Sequence, residues 1–286
     1  MSLTIWDVEH GACATLMPVM DGQRGLLAMI DSGDSATWRP SDYITRTLGR
    51  RQLDYLMITN ADQDHMSDLN GLLRAGIAID NLLVNEMPDV QALRRIKEAA
   101  CGARGLTEDV EAYLALRTTH TTAPMVMFDQ RMGGIRRRSF HNSYPDFDDT
   151  NNLSLVVFIE FHGFKIVFPG DLAREGWLSL LIREDFRAEL RDIDILVASH
   201  HGREDGYCEE VFDWCAPSAV VISDKEMVHG TQEMVPTYRN HIEQHHPGGV
   251  IVNDGAHRRV LTTRRDGHIR FTVNEDGRFW VTLENG

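Results

Sequence analysis

Cysteine is scarce: four residues in 286 (Cys13, Cys101, Cys208 and Cys215), none at the short spacing of a zinc knuckle. That scarcity excludes a disulfide-stapled scaffold and a cysteine-based metal ribbon, and it fits reduced thiols in a cytoplasmic protein. No apolar run approaches the roughly 20 residues of a membrane span. The N-terminus lacks a basic segment followed by an apolar stretch and a small-residue cleavage site. Neither secretion nor a membrane is expected. Positive charge is also short, with 29 Lys and Arg against 43 Asp and Glu and a net charge of -14. Such a surface disfavours non-specific polyanion binding, so any nucleic-acid contact needs a local basic patch or metal ions. A glycine-rich phosphate loop, a Ser-His-Asp order and a dinucleotide fingerprint are all missing.

What is present is an apolar fraction of 42%, enough for a substantial core. Short strands are expected over 3–8, 12–17 and 26–30, then a helix near 41–48 and an internal strand over 53–59. A helix around 69–73 and a strand over 81–85 follow. The region from Pro88 to about Arg117 reads as helical and charged, and 118–150 as irregular, so 88–150 is expected to be an insertion or cover. Strands return over 153–161, 164–168, 193–198 and 219–223, with helices near 172–182, 209–215 and 233–244. Three strand-like runs at Val250, Arg259 and Ile269 complete the pattern. No repeat or low-complexity linker divides the chain, and a single α/β domain over 1–286 is the expected organisation.

Three of these strands end in chemistry. The run Leu53–Thr59 delivers Asn60, Asp62, Asp64 and His65 into one turn. The run Phe164–Phe168 leads through Pro169 and Gly170 to Asp171. The run Ile193–Ala198 ends at Ser199, His200, His201 and Gly202. Singly, each has an ordinary explanation: Asp64 and Asp171 as helix caps, the histidines as surface residues. Together they are three rigid strand ends, about 110 and 30 residues apart, each releasing Asp or His into a loop, which is how a metal site is assembled from side chains distant in sequence. Two basic clusters, Arg136-Arg137-Arg138 and Arg258-Arg259 with Arg264-Arg265, read either as solvated faces or as phosphate contacts.

In this order the residues resemble the metallo-β-lactamase superfamily, and within it the ComEC/Rec2-like branch associated with DNA uptake. Ile5–Gly11 and Leu27–Gly33 are similar to the family's opening strands, with Asp31 at its structural aspartate. Thr59–His65 resembles the THxHxDH signature, Asn151–Val156 the NNxSLV segment, Gly170-Asp171 the GD and Ser199–Gly202 the HHG. The resemblance implies a four-layer αββα sandwich with a metal cleft at one edge between two sheets. It further implies an ion held by Asp64, His65 and one of His200 or His201, with Asp171 placed to bridge.

Asn60 and Asp62 stand where the family has histidines. With Asn152 they imply a weaker, oxygen-rich second position that suits manganese or magnesium better than zinc. The cofactor is thus one or two divalent ions, zinc or manganese. Asp64, Asp171 and His229, where the family often has a glycine-histidine pair, become the catalytic candidates. The activity this implies is hydrolysis of a phosphodiester in nucleic acid or a nucleotide by metal-activated water. Ester, thioester or amide hydrolysis stands as an alternative small-molecule activity. A degenerate scaffold binding a protein partner through 88–150 is the non-enzymatic one.

Overall fold

The computed structural model describes residues 1–20, 23–120, 128–225 and 233–285. The candidate His229 and the expected turn at Asp21-Gly22 lie outside the described residues. Five strands from the N-terminal part, β1 (Ser2–Ile5), β2 (Ala14–Met17), β3 (Ala28–Ile30), β4 (Tyr55–Met57) and β5 (Leu82–Leu83), build most of one sheet. The second sheet takes β6 (Arg136–His141), β7 (Leu155–Phe161), β8 (Phe164–Phe168), β9 (Ile195–Val197), β10 (Ala219–Ile222) and β11 (Val260–Thr262). Two C-terminal strands, β12 (Ile269–Val273) and β13 (Phe279–Leu283), return to the first, whose order is β13-β12-β1-β2-β3-β4-β5; the second runs β6 through β11 in chain order.

Each sheet is antiparallel on one side and parallel on the other: β3, β4 and β5 pair in parallel, as do β8, β9, β10 and β11. Parallel neighbours need crossovers, and helices supply several of them. These are α1 (Leu69–Arg74) between β4 and β5, α4 (Arg174–Leu181) and α5 (Glu184–Leu190) between β8 and β9, and α6 (Val235–His245) between β10 and β11. Between β5 and β6 run α2 (Val90–Cys101) and α3 (Glu108–Thr119).

The period of two along each strand then decides which layer a side chain enters. In β7, Leu155, Val157, Ile159 and Phe161 face the other sheet, where they meet Leu3, Ile5, Ile30, Tyr55, Met57 and Phe271. The alternate residues Val156 and Phe158 turn outward onto Trp177, Phe186 and Ile242 from α4, α5 and α6. On the far side Leu27, Met29, Leu56 and Ile58 face Leu69, Leu72, Leu93, Tyr113 and Leu114 from α1, α2 and α3. Three apolar layers between four structural layers make an αββα sandwich.

Several expectations are corrected. The run Arg136-Arg137-Arg138 belongs to β6, an edge strand paired to β7. Arg136 lies 3.2 Å from Glu160 and Arg138 3.6 Å from Glu189, so these two arginines shield an exposed sheet edge and are already paired, while Arg137 contacts the Ser139 hydroxyl. The helix expected over 209–215 is a 3-10 turn, Glu209–Asp213. The helix α5 and the strand β13 were not anticipated: each is short, and β13 draws its order from pairing to β12.

The inter-sheet layer carries a direct test. Phe271 is fully buried there. Phe271→Ala is expected to lower the unfolding free energy by about 3–5 kcal/mol in urea titration. A loss under about 1 kcal/mol would show that the layer does not close around it.

Candidate metal centre

The parallel halves of the two sheets direct their carboxyl ends to the same edge, which is where open α/β sheets gather functional loops. From β3 comes Asp31. From β4 comes the 3-10 turn Gln63–His65. From β8 comes Gly170-Asp171, from β9 the Ser199–Gly202 turn, and from β10 Ser223.

Of the residues singled out in the sequence, Asp64, His65, Asp171 and His201 converge, with one ligand atom from each lying within 4.8 Å of the others. His65 Nε2 is 2.9 Å from Asp171 Oδ1. His201 Nε2 is 3.2 Å from Asp64 Oδ2 and 3.6 Å from Asp171 Oδ1. Donors sharing one ion at about 2.0–2.2 Å stand at most about 4.4 Å apart, a limit the 2.9, 3.2 and 3.6 Å separations meet.

The outer hydrogen bonds fix which nitrogens face inward. His201 Nδ1 donates to the Ser223 carbonyl at 3.0 Å, and a carbonyl can only accept. Its Nε2 is therefore the nitrogen left for the cluster, and it is buried without an aligned hydrogen-bond partner despite its closeness to Asp64. His65 Nδ1 likewise donates to Asp31 Oδ2 at 3.0 Å, leaving Nε2 to the cluster. Imidazoles oriented by a carboxylate or carbonyl behind them, with the other nitrogen turned to acid oxygens, are the donor set of a divalent-metal site.

Electrostatics agree. Burial would push the His65 imidazole down, but Asp171 and Asp31 raise it well above its ordinary value. Burial also opposes charge on His201, and Asp171 and Asp64 override it upward. Asp64 and Asp171, which burial would raise, are held far below the usual carboxylate range, Asp64 by the His201 hydrogen bond and Asp171 by the charge of His65. Protons on the imidazoles thus supply the positive charge that two buried carboxylates demand.

The backbone pays a local cost for this convergence. Both His200 and His201 lie in the left-handed region, φ 49° and 54°, worth about 1–3 kcal/mol each for non-glycine residues. The turn is held by the His200 N–H donating to the Gly170 carbonyl at 3.1 Å. Gly170 itself has φ +62°, and a Cβ there would press on Ser154 and Thr59 at 3.0–3.1 Å. At Gly33 a Cβ would stand 2.6 Å from the Asp64 carbonyl oxygen, which is why glycine follows Asp31-Ser32.

The remaining candidates go elsewhere. His200 turns away, with Nδ1 at 2.9 Å from Asp205. Asn152 spends its amide on Asp149 at 3.0 Å and its carbonyl oxygen on the Gly176 N–H at 2.9 Å. Asn60 donates to Asn151 Oδ1 at 3.1 Å, and Asp62 is bound by Thr150 and Lys97. Of the residues expected at the weaker second position, Asp62 and Asn152 are tied to neighbours, while Asn60 Oδ1 is buried without a hydrogen-bond partner.

Sequence reasoning missed His10, whose Nε2 is 3.4 Å from Asp64 and whose ring centroid is 4.7 Å from that of His201. Burial, then the charge of His201, lowers it to about 4, so it is a neutral imidazole beside the cluster. The available signal was Gly11, where a Cβ would meet the Asp64 carbonyl at 2.5 Å. A cavity of about 630 Å³ near Arg191, Trp214 and His245 shares no residue with the cluster.

Linkage gives a test. In metal-free protein the protonated imidazoles contribute stability fully below their ordinary 6.5, and it is lost as pH rises through their raised values. The depressed carboxylates act oppositely, stabilising above 3.8 and losing that contribution as pH falls through their lowered values. Melting temperature measured in chelator is expected to decline on the alkaline side, and manganese to abolish the decline by replacing the protons. An alkaline limb unaffected by metal would contradict this account.

Comparison with known proteins is consistent with this architecture. No protein-family model matches the chain. Over 183 residues, 61% of this chain, the sequence is 27% identical to ComE operon protein 3 of Bacillus subtilis (strain 168). The matched stretch is 20% of that protein's length. Among solved structures the chain is similar to a CmlA β-hydroxylase mutant, with TM-score 0.50 and 12% identity over 94% of this chain and 53% of that one. It is also similar to the metallo-beta-lactamase fold protein YhfI from Bacillus subtilis, with TM-score 0.44 and 10% identity over 98% of this chain and 100% of the other. With its αββα layers and its Asp-His cluster at the sheet edge, this chain has the metallo-β-lactamase fold.

Proposed function

We propose that this protein is a metal-dependent hydrolase that cleaves a phosphodiester bond in a nucleotide or a nucleic-acid strand. The observation that carries the reading is the convergence of Asp64, His65, Asp171 and His201 with the Nε2 atoms of both histidines turned inward. A divalent ion held there, zinc or manganese, would polarise a phosphoryl oxygen and make a water acidic enough to attack at neutral pH. Two imidazoles and two carboxylates accept either metal.

The chain's own groups divide the remaining work. Asp171, His65 and His201 are buried and fixed by their hydrogen bonds, so they form the rigid part of the site. Asp64 has a quarter of its side chain exposed and lies at the mouth. His10 and Arg203, whose guanidinium nitrogen is 3.5 Å from His10 Nε2, place a neutral ring and a positive charge beside it, which suits an anionic substrate.

The phosphodiester assignment is supported by the resemblance to the ComEC/Rec2-like branch. The basic clusters do not extend the site: Arg258 is 3.9 Å from Asp266, Arg259 3.5 Å from Glu243 and Arg264 2.8 Å from Asp224. With a net charge of -14 the surface favours a short or single-stranded substrate over duplex wrapping. Among the described residues no helix is long and apolar enough to cross a membrane. The free cysteines, three of them buried, suit a cytoplasmic setting.

Single-stranded DNA, RNA, cyclic nucleotides and bis(p-nitrophenyl) phosphate, each with manganese or zinc, are expected to be cleaved, and p-nitrophenyl esters much less. Asp171→Asn should lower kcat by at least about 100-fold, more than loss of an outer hydrogen-bond partner costs. Ester cleavage without phosphodiester cleavage would reassign the substrate; neither, with any metal, would overturn the hydrolase reading.

A further inference from the structure

The carboxylate two residues ahead of Asp64 takes no part in the cluster. Asp62 precedes the 3-10 turn, its carbonyl accepting from the His65 N–H at 3.1 Å, and its side chain faces Lys97 and Thr150. The Thr150 hydroxyl lies 3.1 and 3.0 Å from the two Asp62 oxygens, and the Lys97 ammonium contacts Oδ1 directly.

Lys97 is only 5% exposed. A lysine on an amphipathic helix ordinarily keeps its ammonium in water, so a buried one needs a carboxylate dedicated to it. Here α2 lays Ala92, Leu93 and Lys97 against the core, and the ammonium is delivered to the ligand-bearing turn. Around it most polar groups are engaged by protein, the Asn60 Oδ1 being a buried exception. Asn60, buried, gives its amide to Asn151, and Asn152 is engaged by Asp149 and Gly176. An ion coordinated by Asp62 would have to share that carboxylate with a like charge, or strand the ammonium without one.

We propose that Lys97 is a built-in cation: through Asp62 it holds the place a second metal ion would need, so the chain takes up one divalent ion and keeps a fixed ammonium beside it. This rests on the metal reading of Asp64, His65, Asp171 and His201. Its chemical consequence is that one of two positive charges is supplied by the protein and is independent of metal supply.

The full chain is dialysed to equilibrium against manganese chloride and bound metal is counted by elemental mass spectrometry. Wild type should saturate at one equivalent. Lys97→Met keeps the stem length without the charge and frees Asp62, so it should rise to two. Lys97→Met combined with Asp62→Asn should return to one. Two equivalents in wild type would overturn the proposal while leaving the four-residue centre intact, and so would one equivalent in a Lys97→Met protein with a native circular dichroism spectrum. Should Lys97→Met fail to fold, the wild-type count still decides. No bound manganese or zinc in wild type would instead remove the metal centre itself, and the proposal with it.

Discussion

The site depends on one buried carboxylate that is not itself among the four converging groups. Asp31, at the end of β3, accepts from the Thr59 backbone N–H at 2.7 Å, from the Thr59 hydroxyl at 2.6 Å and from His65 Nδ1 at 3.0 Å. Those three bonds tie the end of one strand to the loop leaving its parallel neighbour. They also set the tautomer of His65. Charge-assisted bonds of this kind are among the stronger ones a protein makes, and leaving any of the donors unpaired in the interior would cost the full desolvation of that group.

From Asp31 a polar relay crosses between the two sheets. It runs through His65 to Asp171 at 2.9 Å, across to His201 at 3.6 Å, and on to the Ser223 carbonyl at 3.0 Å. Asp31 and His65 belong to the first sheet; Asp171, His201 and Ser223 belong to the second. The apolar layer between the sheets positions the strand ends to within reach, and the relay sets the final register of the side chains. Such a polar network in a low-dielectric setting is rigid where its groups are satisfied, and it breaks at His201 Nε2, which has no aligned hydrogen-bond partner. The left-handed backbone at His200 and His201 is tolerated because the packing around Gly170 and Gly202 leaves that turn no alternative.

The charge pattern of the molecule follows the same economy. A chain with 43 acidic residues cannot leave many cations unpaired, and its arginine-rich segments are each answered by a carboxylate on a neighbouring element. Runs that look in sequence like phosphate-binding patches are therefore edge protection and inter-element pairing. Lys97 is the buried instance of the same rule, and it is the instance that bears on the metal centre.

Sequence alone determined the strand ends and what they release, because an apolar run bounded by glycine and polar residues has few ways to fold and its period of two survives any context. It therefore marked Asp64, His65, Asp171 and the His200-His201 pair, and the αββα layering followed from family likeness. Which of two adjacent histidines enters the cluster was a matter of backbone handedness at Ser199–Gly202, which local composition does not encode. The placement of His10 beside Asp64, the capture of Asp62 by a lysine 35 positions later, and the conversion of an arginine run into an edge strand were decided by tertiary structure. Each depends on what a distant element presents across a gap of a few ångströms, and pairing energies at that range are set by geometry rather than by neighbours in the chain.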